Sequence, residues 1–112
     1  MEFGGNGKET RDWLYVDDAV KLILKVAQDK GGKAMVFNGG SGHRCTVREA
    51  LLKVAEAFGH TTKITFNGQG RPGDPRFYHA DIKGTLKLGW IPDISLQEGI
   101  GRYVDWFKKV EL

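Results

Sequence analysis

"GQGRPGD", residues 68–74, spells G-x-G-x-x-G with Gly68, Gly70 and Gly73. That spacing is the signature of a dinucleotide-binding turn. A β-rich run, Lys63 to Phe66, precedes it, and an acidic residue, Asp93, lies further on. If the stretch were such a turn, the chain would be a nucleotide-binding α/β fold. Such a turn must open a helix at its third glycine, because the free N–H groups of that helix start hold the pyrophosphate. Pro72 lies inside the stretch and Pro75 follows it, and each removes a backbone donor. Arg71 and Asp74, which precede the prolines, are pushed to extended geometry. No apolar stripe of helical period follows until after Asp81. The match to the turn is therefore a coincidence of spacing, and what remains is an irregular loop carrying Arg71, Asp74 and Arg76. Guanidinium groups bind phosphate through a planar, bidentate fork, and proline stiffening lowers the cost of ordering such a loop. A solvated Arg–Asp pair on a surface loop reads from the same residues.

Working outward, the flanking segments alternate between helical and strand patterns. Asp17-Asp18 opens a helix with Ala19, Val20, Ile23, Leu24 and Ala27 on one face, and Gly31-Gly32 stops it. Trp13 to Val16 reads as a short β-like stretch and Ala34 to Asn38 as a buried strand. Thr46-Val47-Arg48-Glu49 is a capping box for a helix carrying Val47, Ala50, Leu51, Val54, Ala55 and Phe58, closed by Gly59. Lys63 to Phe66 is a further strand. Asp81 caps a short helix over Ile82 to Leu88, and Ser95 to Glu98 forms a second capping box. It opens a final helix whose Leu96, Ile100, Tyr103, Val104 and Phe107 share one face. The pattern is an α/β fold with short strands and about four helices, in a single domain spanning residues 1–112.

The totals narrow the function. Seventeen basic and 14 acidic residues leave a net charge of +3, too mild to argue for nucleic acid. A stacking platform of Phe77 and Tyr78 beside Arg44, Arg48, Arg71 and Arg76 is the form nucleic-acid binding would take, and no recognised module motif accompanies it. One cysteine, Cys45, rules out a disulfide within the chain and fits a reducing, cytoplasmic setting. No apolar run reaches the roughly 18 residues of a membrane-spanning helix. His43, His60 and His79 are not at metal-ligand spacing with one another or with Cys45. Cys45 reads as an inert thiol, and Tyr103, Trp90 and Trp106 as core or interface packing.

Four motifs occur in register along the chain: "GNGKETRDWLYVDDAVKLIL" from Gly5, "VFNGGSGHRCTVREAL" from Val36, "GRPGDPRFYHADI" from Gly70 and "LGWIPDISLQEGIGRYVDWF" from Leu88. In this order they resemble the C-terminal, substrate-binding part of the extended short-chain dehydrogenase/reductases, the NAD-dependent nucleotide-sugar epimerases and dehydratases. The resemblance implies that the chain corresponds to the last third of such an enzyme, without its Rossmann half. The family's Tyr-x-x-x-Lys pair lies in that half. Here Tyr15, Tyr78 and Tyr103 are followed four positions later by Ala19, Ile82 and Phe107, so no catalytic residue is assigned. NAD is expected with the full-length family member and no cofactor with this chain. Carried over by motif, Arg11 of "RDW" and Arg71 of "RPGD" contact a nucleotide diphosphate, Asp74 lies near the nucleotide ribose, and Arg76 supports the loop. The family's usual Phe or Tyr after the Asp is Trp13 here. Asn38 and the glycines after it follow the family's last sheet strand and carry a structural role. The implied partner is a nucleotide-diphosphate sugar. The first and second helices would bare faces that the Rossmann half covers in the family, which predicts self-association.

Overall fold

The computed structural model describes residues 1–31 and 35–110. The elements, in chain order, are β1 (Glu2–Phe3), β2 (Thr10–Arg11), α1 (Val16–Gln28), β3 (Cys45–Thr46), α2 (Val47–Ala57), β4 (Thr65–Phe66), α3 (Lys83–Leu86) and α4 (Leu96–Val110). Four helices and short strands make the α/β fold that the patterning predicts. The strands form two small sheets: β1 pairs with β4 in parallel, and β2 with β3 antiparallel in the register Thr10–Thr46 and Arg11–Cys45.

Helix α2 follows its sequence closely. Thr46 Oγ1 accepts from Glu49 N, and Glu49 Oε2 accepts from Thr46 N at 2.8 Å, so the reciprocal capping box is complete. Gly59, at φ +75°, closes the helix in a conformation that side chains other than glycine avoid. The second capping box is half formed. Glu98 N donates to Ser95 Oγ, but the Glu98 carboxylate turns outward to pair with Arg102 at 2.6 Å. Helices α2 and α4 pack through Phe58 and Phe107, edge to face at 5.6 Å, and bury Ala50, Ile100 and Val104.

Helix α1 departs from the pattern expected of it. It starts at Val16, and Tyr15 stands at its N-cap without a side-chain bond, so neither Asp17 nor Asp18 caps it. Asp18 is instead fully buried: its Oδ2 accepts from Asp93 N (3.0 Å) and Ile94 N (2.9 Å), and its carbonyl accepts from Trp90 Nε1 (3.0 Å). This tie turns Asp18 and Leu22 inward, and it leaves Val16, Val20, Ile23 and Leu24 on the surface.

Of the strand expected over Ala34 to Asn38, the described residues Met35 to Asn38 form none. Ala34, like Gly32 of the expected helix stop, lies outside the described residues, and Met35 to Asn38 have no ladder partner. Trp13 to Tyr15 likewise run without regular structure. A strand needs a neighbour for its backbone groups, and neither stretch meets one among the described residues. The short helix after Asp81 is the single turn α3, where Asp81 Oδ1 accepts from Lys83 N.

The molecule is a slab with extents of 51 × 36 × 19 Å. Its radius of gyration is 16.6 Å, where a self-contained domain of this length would have about 13 Å.

Candidate functional site

The stretch 68–74 forms no helix start. Gly68 and Gly73 take positive φ, Asp74 N closes a turn onto Arg71 O at 3.1 Å, and the next helix begins only at Lys83. These residues therefore present no helix N-terminus of the kind that holds a pyrophosphate.

The same stretch lines a cleft of about 320 Å³. Its walls come from three separated segments: Phe3 to Arg11, Val47, and Gly68 to Arg76. Arg11 and, from a loop 60 residues further on, Arg71, Asp74 and Arg76 all line this one cavity. Arg11 stands in β2, and its Nη1 donates to Thr10 O (2.8 Å) and to Pro75 O (2.9 Å). Both bonds leave from Nη1, so the rest of the guanidinium fork takes no part in them. Arg71, Asp74 and Arg76 are exposed on the loop opposite.

The loop is held at both ends. Gly5 N donates to Gln69 O and Gly68 N to Gly5 O, each at 2.8 Å. On the far side Thr10 N donates to Arg76 O and Tyr78 N to Thr10 O, a short parallel ladder along β2.

Glu9 lines the cleft too, although none of the motifs in the sequence marks it as a site residue. Its Oε1 accepts from Asn6 N at 2.9 Å. That bond, followed by its own N–H, holds its carboxyl below the usual range. The signal lay in the glycines before Arg11. Gly5 and Gly7 both take positive φ, and a Cβ on Gly5 would stand 2.5 Å from Glu9 Oε1. The curl they permit brings Glu9 back against the cleft. Three guanidiniums and two carboxylates thus surround one cavity, a balance suited to a ligand that offers both anionic and donor groups.

Asp12 lies just behind the cleft. Its Oδ1 accepts from Ser41 N (2.6 Å) and Ser41 Oγ (2.7 Å), and its Oδ2 from Gly42 N (3.1 Å) and Ala80 N (3.3 Å). Partial burial pushes the carboxyl pKa up, but these four donors outweigh it and hold the group ionised below its ordinary range.

The remaining candidates separate from the cleft. Partial burial, with the nearby Glu49 carboxylate, pushes the Cys45 thiol up, as for an inert cysteine. Arg48 lies over the Phe66 ring at 4.6 Å from its centroid, and Phe77 and Tyr78 are exposed. His79 Nε2 shares a hydrogen bond with Gly42 O, and His60 stacks beside Phe58. Among the described residues, no group of three His, Cys, Asp or Glu side chains could hold a metal, and no helix is long and apolar enough to cross a membrane. Trp90 is core, whereas Tyr103 and Trp106 lean on each other at 5.7 Å and stay half exposed.

A family model described as GDP-mannose 4,6 dehydratase matches residues 1–103. The chain belongs to this family of nucleotide-sugar epimerases and dehydratases. It is 34% identical over 105 residues to UDP-glucose 4-epimerase of Mycolicibacterium smegmatis, covering 93% of this chain and 33% of that one. It is 31% identical over 105 residues to dTDP-glucose 4,6-dehydratase of Streptomyces antibioticus, covering 93% and 31%. The crystal structure of UDP-glucose 4-epimerase from Thermotoga maritima, determined with UDP-glucose, superposes with a TM-score of 0.90 at 34% identity. That superposition covers all of this chain and 36% of the other. The chain thus spans about a third of the length of the curated relatives it matches. The structure of MoeE5 in complex with UDP-glucose and NAD superposes with a TM-score of 0.91 at 27% identity, covering all of this chain and 38% of that one.

Proposed function

We propose that this chain is the nucleotide-sugar-binding portion of an NAD-dependent sugar epimerase or dehydratase. Arg11 and Arg71 hold the diphosphate, Asp74 accepts from the nucleotide ribose, and Arg76 supports the loop. The observation that carries this reading is the convergence of these four residues, from two separated segments of the sequence, on one cleft of about 320 Å³. Charge-assisted bonds from a guanidinium contribute about 1.5–3 kcal/mol each, which suits a ligand carrying two phosphates. The Thermotoga maritima relative was crystallised with UDP-glucose, which supports the same ligand class here. The chemistry at the sugar is assigned to no residue of this chain.

Titrating UDP, dTDP and GDP into the chain, with heat and amide shifts as readouts, tests the proposal. Binding should perturb the signals of Arg11 and Arg71, and Arg71→Ala should remove most of the affinity. Unchanged affinity in Arg71→Ala overturns the assignment.

A second reading, an interaction module without catalysis of its own, is favoured by the bare apolar stripe of α1. Self-association through that stripe is its test.

A further inference from the structure

The loop that carries Arg71 and Arg76 contains neither helix nor strand, so its course depends on what it is tied to. Along β2 the tie is a parallel ladder: Thr10 N to Arg76 O, then Tyr78 N to Thr10 O. Continued by one step, such a ladder would send Ala80 N to the backbone carbonyl of residue 12. Ala80 N goes instead to Asp12 Oδ2, at 3.3 Å. The side chain takes over the last rung. The same carboxylate gathers Ser41 N, Ser41 Oγ and Gly42 N, so one anion ends the ladder and fastens it to a third segment. Gly40 makes room for this. A Cβ there would stand 2.5 Å from Ala80 Cβ and 2.8 Å from Asp12 Oδ2. Arg11, one residue before the knot, holds Pro75 O from the cleft side.

We propose that Asp12 is the positioning residue of the cleft: its carboxylate fixes residues 75–80 along β2 and so keeps Arg71 and Arg76 facing the cavity that Arg11 lines. This rests on reading that cavity as the diphosphate site. A loop ordered before the ligand arrives saves the ligand that ordering cost.

Asp12→Asn is the discriminating variant. Asparagine keeps the shape and the Oδ1 acceptor for Ser41, but it turns an NH2 group toward Gly42 N and Ala80 N. Without nucleotide, amide exchange at Ala80 and Gly42 should accelerate about tenfold, the loss of one charge-assisted bond. Exchange at Val104, in the α2–α4 core, should stay at its wild-type rate; a variant that merely lowers global stability would move both alike. UDP affinity should fall by about tenfold as the loop loses its order. Should Asp12→Asn fail to fold, Ser41→Ala keeps the Ser41 N bond to Asp12 while removing the Oγ donor, together with the local bonds of Oγ to His43, and should shift Ala80 exchange and UDP affinity in the same directions by less.

Unchanged Ala80 exchange overturns the proposal, and so does UDP affinity that holds while Ala80 exchange rises. A wild-type chain that ignores UDP overturns the diphosphate reading instead. The Ala80 rate in the variant then still decides whether Asp12 holds the loop.

Discussion

Helix α1 carries Val16, Val20, Ile23 and Leu24 at helical spacing, and α4 carries Leu96, Ile100, Tyr103, Val104 and Phe107 in the same way. The two stripes meet opposite fates. Val104 is 2% exposed against α2, whereas Ile23 is 67% exposed. What α1 buries is its other face, with Asp18 at the centre. Apolar periodicity therefore states that a helix has a face to cover, and the polar ties decide which face this chain covers by itself. The accessible surface, 8399 Å², agrees: a self-contained monomer of this mass would expose about 6,200 Å². The excess, about 2,200 Å², is of the order that lasting interfaces bury.

If Asp18 sets the orientation of α1, removing it should hurt most. Asp18→Ala leaves the partly buried N–H groups of Asp93 and Ile94 without their acceptor, at a cost of about 2–5 kcal/mol. Chemical denaturation against wild type measures it. A loss under about 0.5 kcal/mol, the level of an ordinary surface change, would show that α1 is seated by something else.

The stripes themselves can be compared directly. Val104→Ala should cost about 2 kcal/mol through lost burial and the cavity left behind, while Ile23→Ala should stay within about 0.5 kcal/mol in dilute solution. Equal costs would mean that the α1 stripe is already covered at that concentration. The interaction reading is tested on the same face. Sedimentation velocity of the wild type should show a weight that rises with concentration, and Ile23→Glu together with Leu24→Glu should flatten that rise. A wild-type chain that stays monomeric at high concentration removes self-association from the reading.

How much of this is legible in the sequence depends on whether local residues decide the outcome. The box at Thr46 and Glu49 is settled between neighbours within one helical turn, and the structure keeps it. The prolines at 72 and 75 remove backbone donors that a phosphate-holding helix start needs, and no apolar stripe of helical period follows until after Asp81, so the false dinucleotide turn can be dismissed. The strand over Ala34 to Asn38 depends on a partner, and residues 35–38 have none here among the described residues. Asp17-Asp18 looks like a cap because a cap is the common local use of aspartate before a helix. The actual partners of Asp18 lie 75 and 76 residues away, which no local rule can see. The cleft divides similarly. Arg11, Arg71, Asp74 and Arg76 stand out by motif, but Glu9 joins them only through the curl at Gly5 and Gly7.

The smallest effect expected separates α2, whose start is fixed by its own residues, from α1, whose start is not. Thr46→Ala should cost about 1 kcal/mol, the usual value of an N-cap. The box also carries a sign with pH. The Thr46 backbone N–H and then its hydroxyl hold the Glu49 carboxyl below its ordinary range. A folded-state pKa below the unfolded one means that the contribution is complete above the unfolded value, about 4.3, and disappears as pH falls through the folded value. Glu49→Gln should therefore be slightly less stable than wild type at neutral pH, and the difference should close on acidification below about pH 4. Thermal melts of both proteins across that range decide it. Helix α1 has no such box at Tyr15, so a substitution there should change stability without this acid dependence. A gap between wild type and Glu49→Gln that stays constant down to strong acid would mean that α2, like α1, owes its start to distant contacts.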